Sequence, residues 1–195
     1  MAELILDKGR TALMIADFYA DAMTNTPHAR ERGVVERTRG LQEAARRAGI
    51  MVVYTATVFR EGYPEISPLN KTFSERKASG QAAVSDPVSL IHPDVAPRPG
   101  EAVVGKHRVN AFFQTDLDVL LRANGIETLV ILGYATSGVV LSTVRYGADS
   151  DYQLVVVEDC CADREREVHD FLIERIFPRQ ATIASSAEVI RAISA

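Results

Sequence analysis

Cysteine is scarce: the chain has 195 residues and two of them, side by side at Cys160 and Cys161. Adjacent thiols neither staple distant segments nor supply a structural zinc site, so the fold has to stand on its hydrophobic core. Positive charge is also in short supply. The 22 Lys and Arg against 26 Asp and Glu leave a net charge of −4, which gives no overall field for nucleic acid or an anionic membrane. Long apolar runs are missing as well. The longest uncharged stretch, Thr128 to Val144, is too short and too rich in Gly, Ser and Thr to span a bilayer comfortably. The opening MAELILDKGR lacks the apolar core of a secretory signal. There is no interdomain linker and no internal repeat. These absences lead us to expect one domain over residues 1–195, cytoplasmic, with no membrane or nucleic-acid partner.

The composition, 47% hydrophobic and 25% charged, is that of an ordinary globular domain. Short aliphatic runs recur at Thr11 to Ala16, Met51 to Thr57, Ala102 to Val104, Thr128 to Leu132, Gln153 to Val157 and Ala181 to Ile183. Each suits a strand buried on both faces of a parallel sheet. Helical patterns lie between them, at Val35 to Ala48, Phe113 to Ala123, Ser137 to Ala148, Arg164 to Phe177 and Ser186 to Ile193. Phe113, Leu117, Leu120 and Leu121 form one expected apolar stripe, and Val168, Phe171, Leu172 and Ile176 another. The alternation predicts an α/β fold with a parallel sheet covered on both sides and right-handed crossovers. Residues 59–100 hold six of the eight prolines and show no long periodicity. So long a connection in a compact domain commonly carries binding or lid functions.

Ligands of open α/β sheets bind at the carboxyl ends of the strands. Three positions there stand out: Asp17, ending TALMIA; Lys106, in VVGKHRVNAFF; and the turn GYATSGVV, Gly133 to Val140. Singly, each has an ordinary explanation as a turn residue, a solvated lysine or a helix cap. Together, the segments ALMIADFYADAM, VVGKHRVNAFFQTDLDVLL and LGYATSGVVLSTVRYGADSDYQLVVVEDCCAD resemble, in order and spacing, the isochorismatase-like superfamily, or cysteine hydrolases. That superfamily includes nicotinamidases and carbamoyl amide hydrolases.

The resemblance implies a three-layer αβα fold with a six-stranded parallel sheet of order 3-2-1-4-5-6, and a cis peptide at Tyr134–Ala135. It also implies a homodimer or homotetramer. In its amide-cleaving members an Asp takes the proton of a Cys thiol, the thiolate attacks the carbonyl, and a Lys holds the charged Asp. Asp17 and Lys106 match the first two positions. The Cys position falls on Val139, so the nucleophile is absent. Cys160, Cys161, Thr136 and Ser137 are the weighed substitutes, with burial of the thiols and helix capping by the hydroxyls as their plainer roles. The isochorismatases proper also lack this Cys and cleave a vinyl ether, a reaction that needs a general acid and no nucleophile.

Four residues of the turn, Tyr134, Ala135, Thr136 and Ser137, together with Arg108 and Phe112, are the expected substrate-binding residues, and Arg60, Arg76 and Lys77 are further cations in reach of an anionic substrate. No His follows the second strand in YTATVFREGYPEISPLN, so a nicotinamidase-type metal site is not expected, and His92 and His107 remain loose candidates. No cofactor is expected. The leading expectation is acid/base hydrolysis of a small molecule, of vinyl-ether type, by Asp17 and Lys106. The alternatives are a C–N hydrolase using water activated by Asp17, and a non-catalytic ligand-binding descendant.

Overall fold

The computed structural model describes residues 4–80, 84 and 86–194. Strands β1 (Thr11–Ala16), β2 (Met51–Thr57), β3 (Ala102–Lys106), β4 (Thr128–Tyr134), β5 (Gln153–Ala162) and β6 (Thr182–Ala184) form one sheet in the order β3-β2-β1-β4-β5-β6. Every pairing in it is parallel. Around it lie α1 (Ala20–Asn25), α2 (Pro27–Glu31), α3 (Val34–Arg47), α4 (Lys71–Ser79), α5 (Leu117–Ala123), α6 (Leu141–Asp149), α7 (Arg166–Phe171) and α8 (Ser186–Ser194). The expected strand order is the observed one.

The aliphatic runs became strands because a central parallel strand is covered on both faces, so each of its side chains is driven inward. All six residues of β1 are buried. Helix α3 shows the complementary logic. Val34, Thr38, Leu41 and Ala45 recur every three or four residues and are its buried face, while Arg46 on its flank is pinned by Glu43 and Glu101.

Three expected helices are shorter than their patterns, and the one expected from Ser137 is regular only from Leu141, past a kink at Gly138. The one expected from Phe113 starts at Leu117, and Phe113 is half exposed. The Asn110 side chain accepts the amide of Phe112, Thr115 bonds back to the Ala111 carbonyl, and Gln114 sits at φ 55°. These local bonds hold a turn where the helix was expected. The helix expected over Arg164 to Phe177 begins at Arg166, widens over Leu172–Ile176 and tightens at Phe177–Arg179. Pro178, which has no amide hydrogen, ends the regular ladder, and Phe171 lies mostly outside the core.

The 59–100 connection is not structureless. It contains α4, and Phe59, Ile66 and Phe73 form a small apolar cluster of their own, separate from the main core. Edge-to-face packing of Phe59 on Phe73, with centroids 5.4 Å apart, ties α4 to the end of β2.

Gly133 marks where the sheet allows no side chain at all. It pairs with Ala16 across β1 and β4, at φ 147°, and a Cβ there would lie 2.0 Å from the Ala16 carbonyl oxygen. We expect Gly133→Ala to cost about 3 kcal/mol or more, from the forced φ and the backbone clash together, read as a lower denaturation midpoint. A stability within 1 kcal/mol of wild type, a small fraction of that figure, would contradict this packing.

Candidate active site

Four adjacent strand ends build the site. Asp17 follows β1, Thr57 ends β2, Lys106 ends β3 and Tyr134 ends β4. Neighbouring strands lie about 4.8 Å apart, so a group on β3 must cross two strand spacings, roughly 10 Å, to meet one on β1. Lysine is long enough. Lys106 Nζ lies 2.7 Å from Asp17 Oδ2, 2.6 Å from Thr57 Oγ1 and 3.0 Å from the Arg108 carbonyl. Those three acceptors take all three of its hydrogens. Thr57 in turn donates to Asp17 Oδ2 at 3.1 Å. Lys106 is 1% exposed and Asp17 6%. Burial pushes the Lys106 pKa below its ordinary value, against the pull of Asp17.

Asp17 itself is held at φ 49°, with its amide donating to the Thr55 carbonyl at 2.9 Å. Aspartate is among the few residues that tolerate this left-handed conformation. With Oδ2 engaged by Lys106 and Thr57, Oδ1 is buried and has no hydrogen-bond partner among the described residues. Asp17 borders a cavity of about 440 Å³, together with Tyr19, Thr57, Lys106, Tyr134, Ala135 and Val139.

The turn after β4 supplies the opposite wall. The Tyr134–Ala135 peptide is cis, the expected place. Val139 is buried to 2% and faces the cavity. Cys160 and Cys161 stand away from the cavity. β5 runs five residues past its apolar stretch, so both thiols lie within the strand, fully buried, and neither borders the cavity. Burial raises both thiols, Cys161 up to about 12.

An isochorismatase domain model matches residues 11–188. The chain belongs to the isochorismatase family. Among relatives of this family member, the maleamate amidohydrolase of Pseudomonas putida is 29% identical, covering 83% of this chain and 76% of its own. A protein of Pseudomonas chlororaphis named probable isochorismatase is 30% identical over 97% of this chain and 89% of its own. The solved isochorismatase family protein of Burkholderia thailandensis superposes with a TM-score of 0.84 at 27% identity, covering 100% of both chains.

Not every expected binding residue of this family member borders the cavity. The Arg108 guanidinium turns away to the carbonyls of His107 and Glu65. Phe112 is buried in the core, stacked 4.7 Å from Tyr146. Ser137 faces a neighbouring surface groove, its amide bonded to Asp163. Thr136 is fully buried behind the turn, 2.9 Å from His169 Nδ1. Besides Lys106, the cations that border the cavity among the described residues are Arg76, on α4, and Arg164, after β5. Arg76 is half-buried, and among the described residues neither guanidinium has a carboxylate within ion-pair distance. Tyr19, Thr57 and Arg164 carried no sequence signal that set them apart.

Neither loose metal candidate reaches the site. His92 caps a turn by accepting the Asp94 amide, and His107 bonds to the Val58 carbonyl. A different trio, His28, His169 and Asp170, gathers behind the turn. There the Arg32 guanidinium sits 2.6 Å from His169 Nε2. Arginine only donates, so Nε2 accepts, Nδ1 donates to Thr136, and the ring is neutral. A cation beside that nitrogen fits a metal ion poorly.

Two predictions follow from these buried charges. Lys106→Met leaves the Asp17 carboxylate buried without its partner and should cost about 3–5 kcal/mol in chemical denaturation; an unchanged midpoint would contradict the pair. His169 is held down to about 4, by burial first and then by Arg32 and His28. The unfolded chain, with an ordinary histidine pKa of about 6.5, therefore binds the proton more readily than the folded one. His169 thus contributes full stability above about pH 6.5, lost progressively as the pH falls toward 4. Melting temperatures taken across that range should fall more steeply for wild type than for His169→Gln.

Proposed function

We propose that the protein hydrolyses a small carboxylate-bearing amide with water activated by Asp17. The observation that carries this reading is that Asp17 borders the cavity with its buried Oδ1 unpartnered, while Oδ2 is bound to Lys106 and Thr57. Lys106 Nζ, 2.7 Å from Oδ2, pairs with the charge of a carboxylate, an arrangement that suits a base rather than an acid. Oδ1 takes a proton from water, the water oxygen bonds to the amide carbon, and the carbonyl π pair moves onto oxygen. When the tetrahedral species collapses, the C–N bond breaks and the amine leaves with the proton held by Asp17. Products are a carboxylic acid and ammonia or an amine. Lys106, its hydrogens all engaged, keeps Asp17 charged and oriented and does not itself donate to substrate. Arg76 and Arg164 supply the positive charge for the substrate's carboxylate. The maleamate amidohydrolase among the relatives acts on an amide of this kind.

The vinyl-ether reading is the second one. Its support is Val139 at the position of the family nucleophile, together with the relative named probable isochorismatase. In that reaction Asp17 has to be protonated, which the Lys106 contact opposes.

Incubation with maleamate, N-carbamoyl amino acids and isochorismate, following ammonia and pyruvate, decides between them. Ammonia release from an acidic amide is expected, and Asp17→Asn should lower kcat by about 10²–10⁴-fold. Pyruvate without ammonia would favour the vinyl-ether reaction. Binding of these compounds without turnover of any would point to a ligand-binding role.

A further inference from the structure

We propose that Tyr19 is the hydrogen-bond donor to the substrate carbonyl, the counterpart of Asp17 Oδ1; this rests on the hydrolytic reading above. Most polar hydrogens beside Asp17 are already engaged. Lys106 has spent its three hydrogens, on Asp17, Thr57 and the Arg108 carbonyl. The Thr57 hydroxyl accepts from Lys106 and donates to Asp17. Asp17 Oδ1 accepts only. Two phenols at the cavity donate no hydrogen bond among the described residues: Tyr134, whose oxygen accepts from the Thr26 hydroxyl at 3.3 Å, and Tyr19, the one held on Thr57 beside Asp17.

Its hydroxyl oxygen accepts the Thr57 amide at 2.6 Å and lies near the Thr57 side chain, whose own hydrogen goes to Asp17, and among the described residues its hydrogen makes no donated bond of good geometry. The phenol is also well anchored. Tyr19 bridges to Ile91, its amide donates to the Asp17 carbonyl at 2.9 Å, and the His92 amide donates to the Phe18 carbonyl at 2.8 Å. Burial and the nearby Asp17 charge raise the phenol pKa well above its ordinary value, so the oxygen keeps its proton. A fixed amide thus orients the oxygen, and the O–H is left for a ligand.

The step involves no proton transfer from Tyr19. As water adds to the amide carbon and the π pair collects on oxygen, the Tyr19 O–H shortens its hydrogen bond to that oxygen, and it relaxes when the C–N bond breaks. A donor that strengthens with developing charge lowers the barrier more than it tightens ground-state binding.

The test pairs kinetics with a spectroscopic signature. In ammonia-release assays on maleamate, Tyr19→Phe should lower kcat by about 10²–10³-fold with KM within about threefold of wild type. In isotope-edited infrared spectra of ¹³C=O-labelled maleamate bound to the Asp17→Asn protein, adding Tyr19→Phe should move the carbonyl band to higher frequency. Circular dichroism checks that each variant is folded. A band that does not move, or turnover that Tyr19→Phe leaves unchanged, overturns the assignment. A Tyr19-dependent band in a protein that hydrolyses nothing would sink the hydrolytic reading and leave Tyr19 as a carbonyl-binding donor. Failure of maleamate to bind at all overturns both.

Discussion

Lys106 meets Asp17 across two strand spacings, and much of the molecule serves that meeting. A buried ammonium and a buried carboxylate are each costly to remove from water, so the pair persists only where geometry and further hydrogen bonds compensate both. Here the compensation is structural. The order β3-β2-β1 sets the two groups at the same end of the sheet, and Thr57, on the strand between them, bridges both. The register of β2 on β3, with Thr57 opposite Lys106, is part of the same device. A slip of one residue would turn Lys106 to the other face of the sheet.

Much of this was legible in the sequence, and the reason is physical. Doubly covered strands have to be aliphatic along their whole length, so β1 and β2 coincide with their apolar runs, and the groups at strand ends follow from those runs. Asp17, Lys106 and Val139 could be located because they stand at fixed distances from them. β5 was harder because its second half is charged. Glu158 and Asp159 lie within the strand, paired with Arg32 and Arg37, and Asp159 also binds Ser186. A paired buried carboxylate looks like a loop residue on a hydropathy scale. The same extension carried Cys160 and Cys161 into the core and set Arg164 at the cavity.

The remaining differences arise where side chains compete with the backbone, or where a contact depends on chain segments far apart. Asn110 and Thr115 delay α5, which leaves Phe113 at the surface in spite of its place in an apolar stripe. Arg108 has the right charge two residues from Lys106, yet it lies past the end of β3 and its guanidinium bonds to the His107 and Glu65 carbonyls, so only its own carbonyl turns toward the site. Tyr19 was inconspicuous because its value lies in a bond to the Thr57 amide, a residue 38 positions away.

The small cluster of Phe59, Ile66 and Phe73 has a consequence for how such a site changes over generations. Arg76 rides on a helix anchored by that cluster, whereas Asp17, Thr57 and Lys106 are anchored by the sheet. On the proposed reading, recognition and bond-breaking are therefore mounted on two separately packed supports. Substitutions that reshape the α4 support can redirect the choice of substrate while leaving the reactive centre's own packing intact. On that reading, a change of substrate within this fold calls for no change of fold.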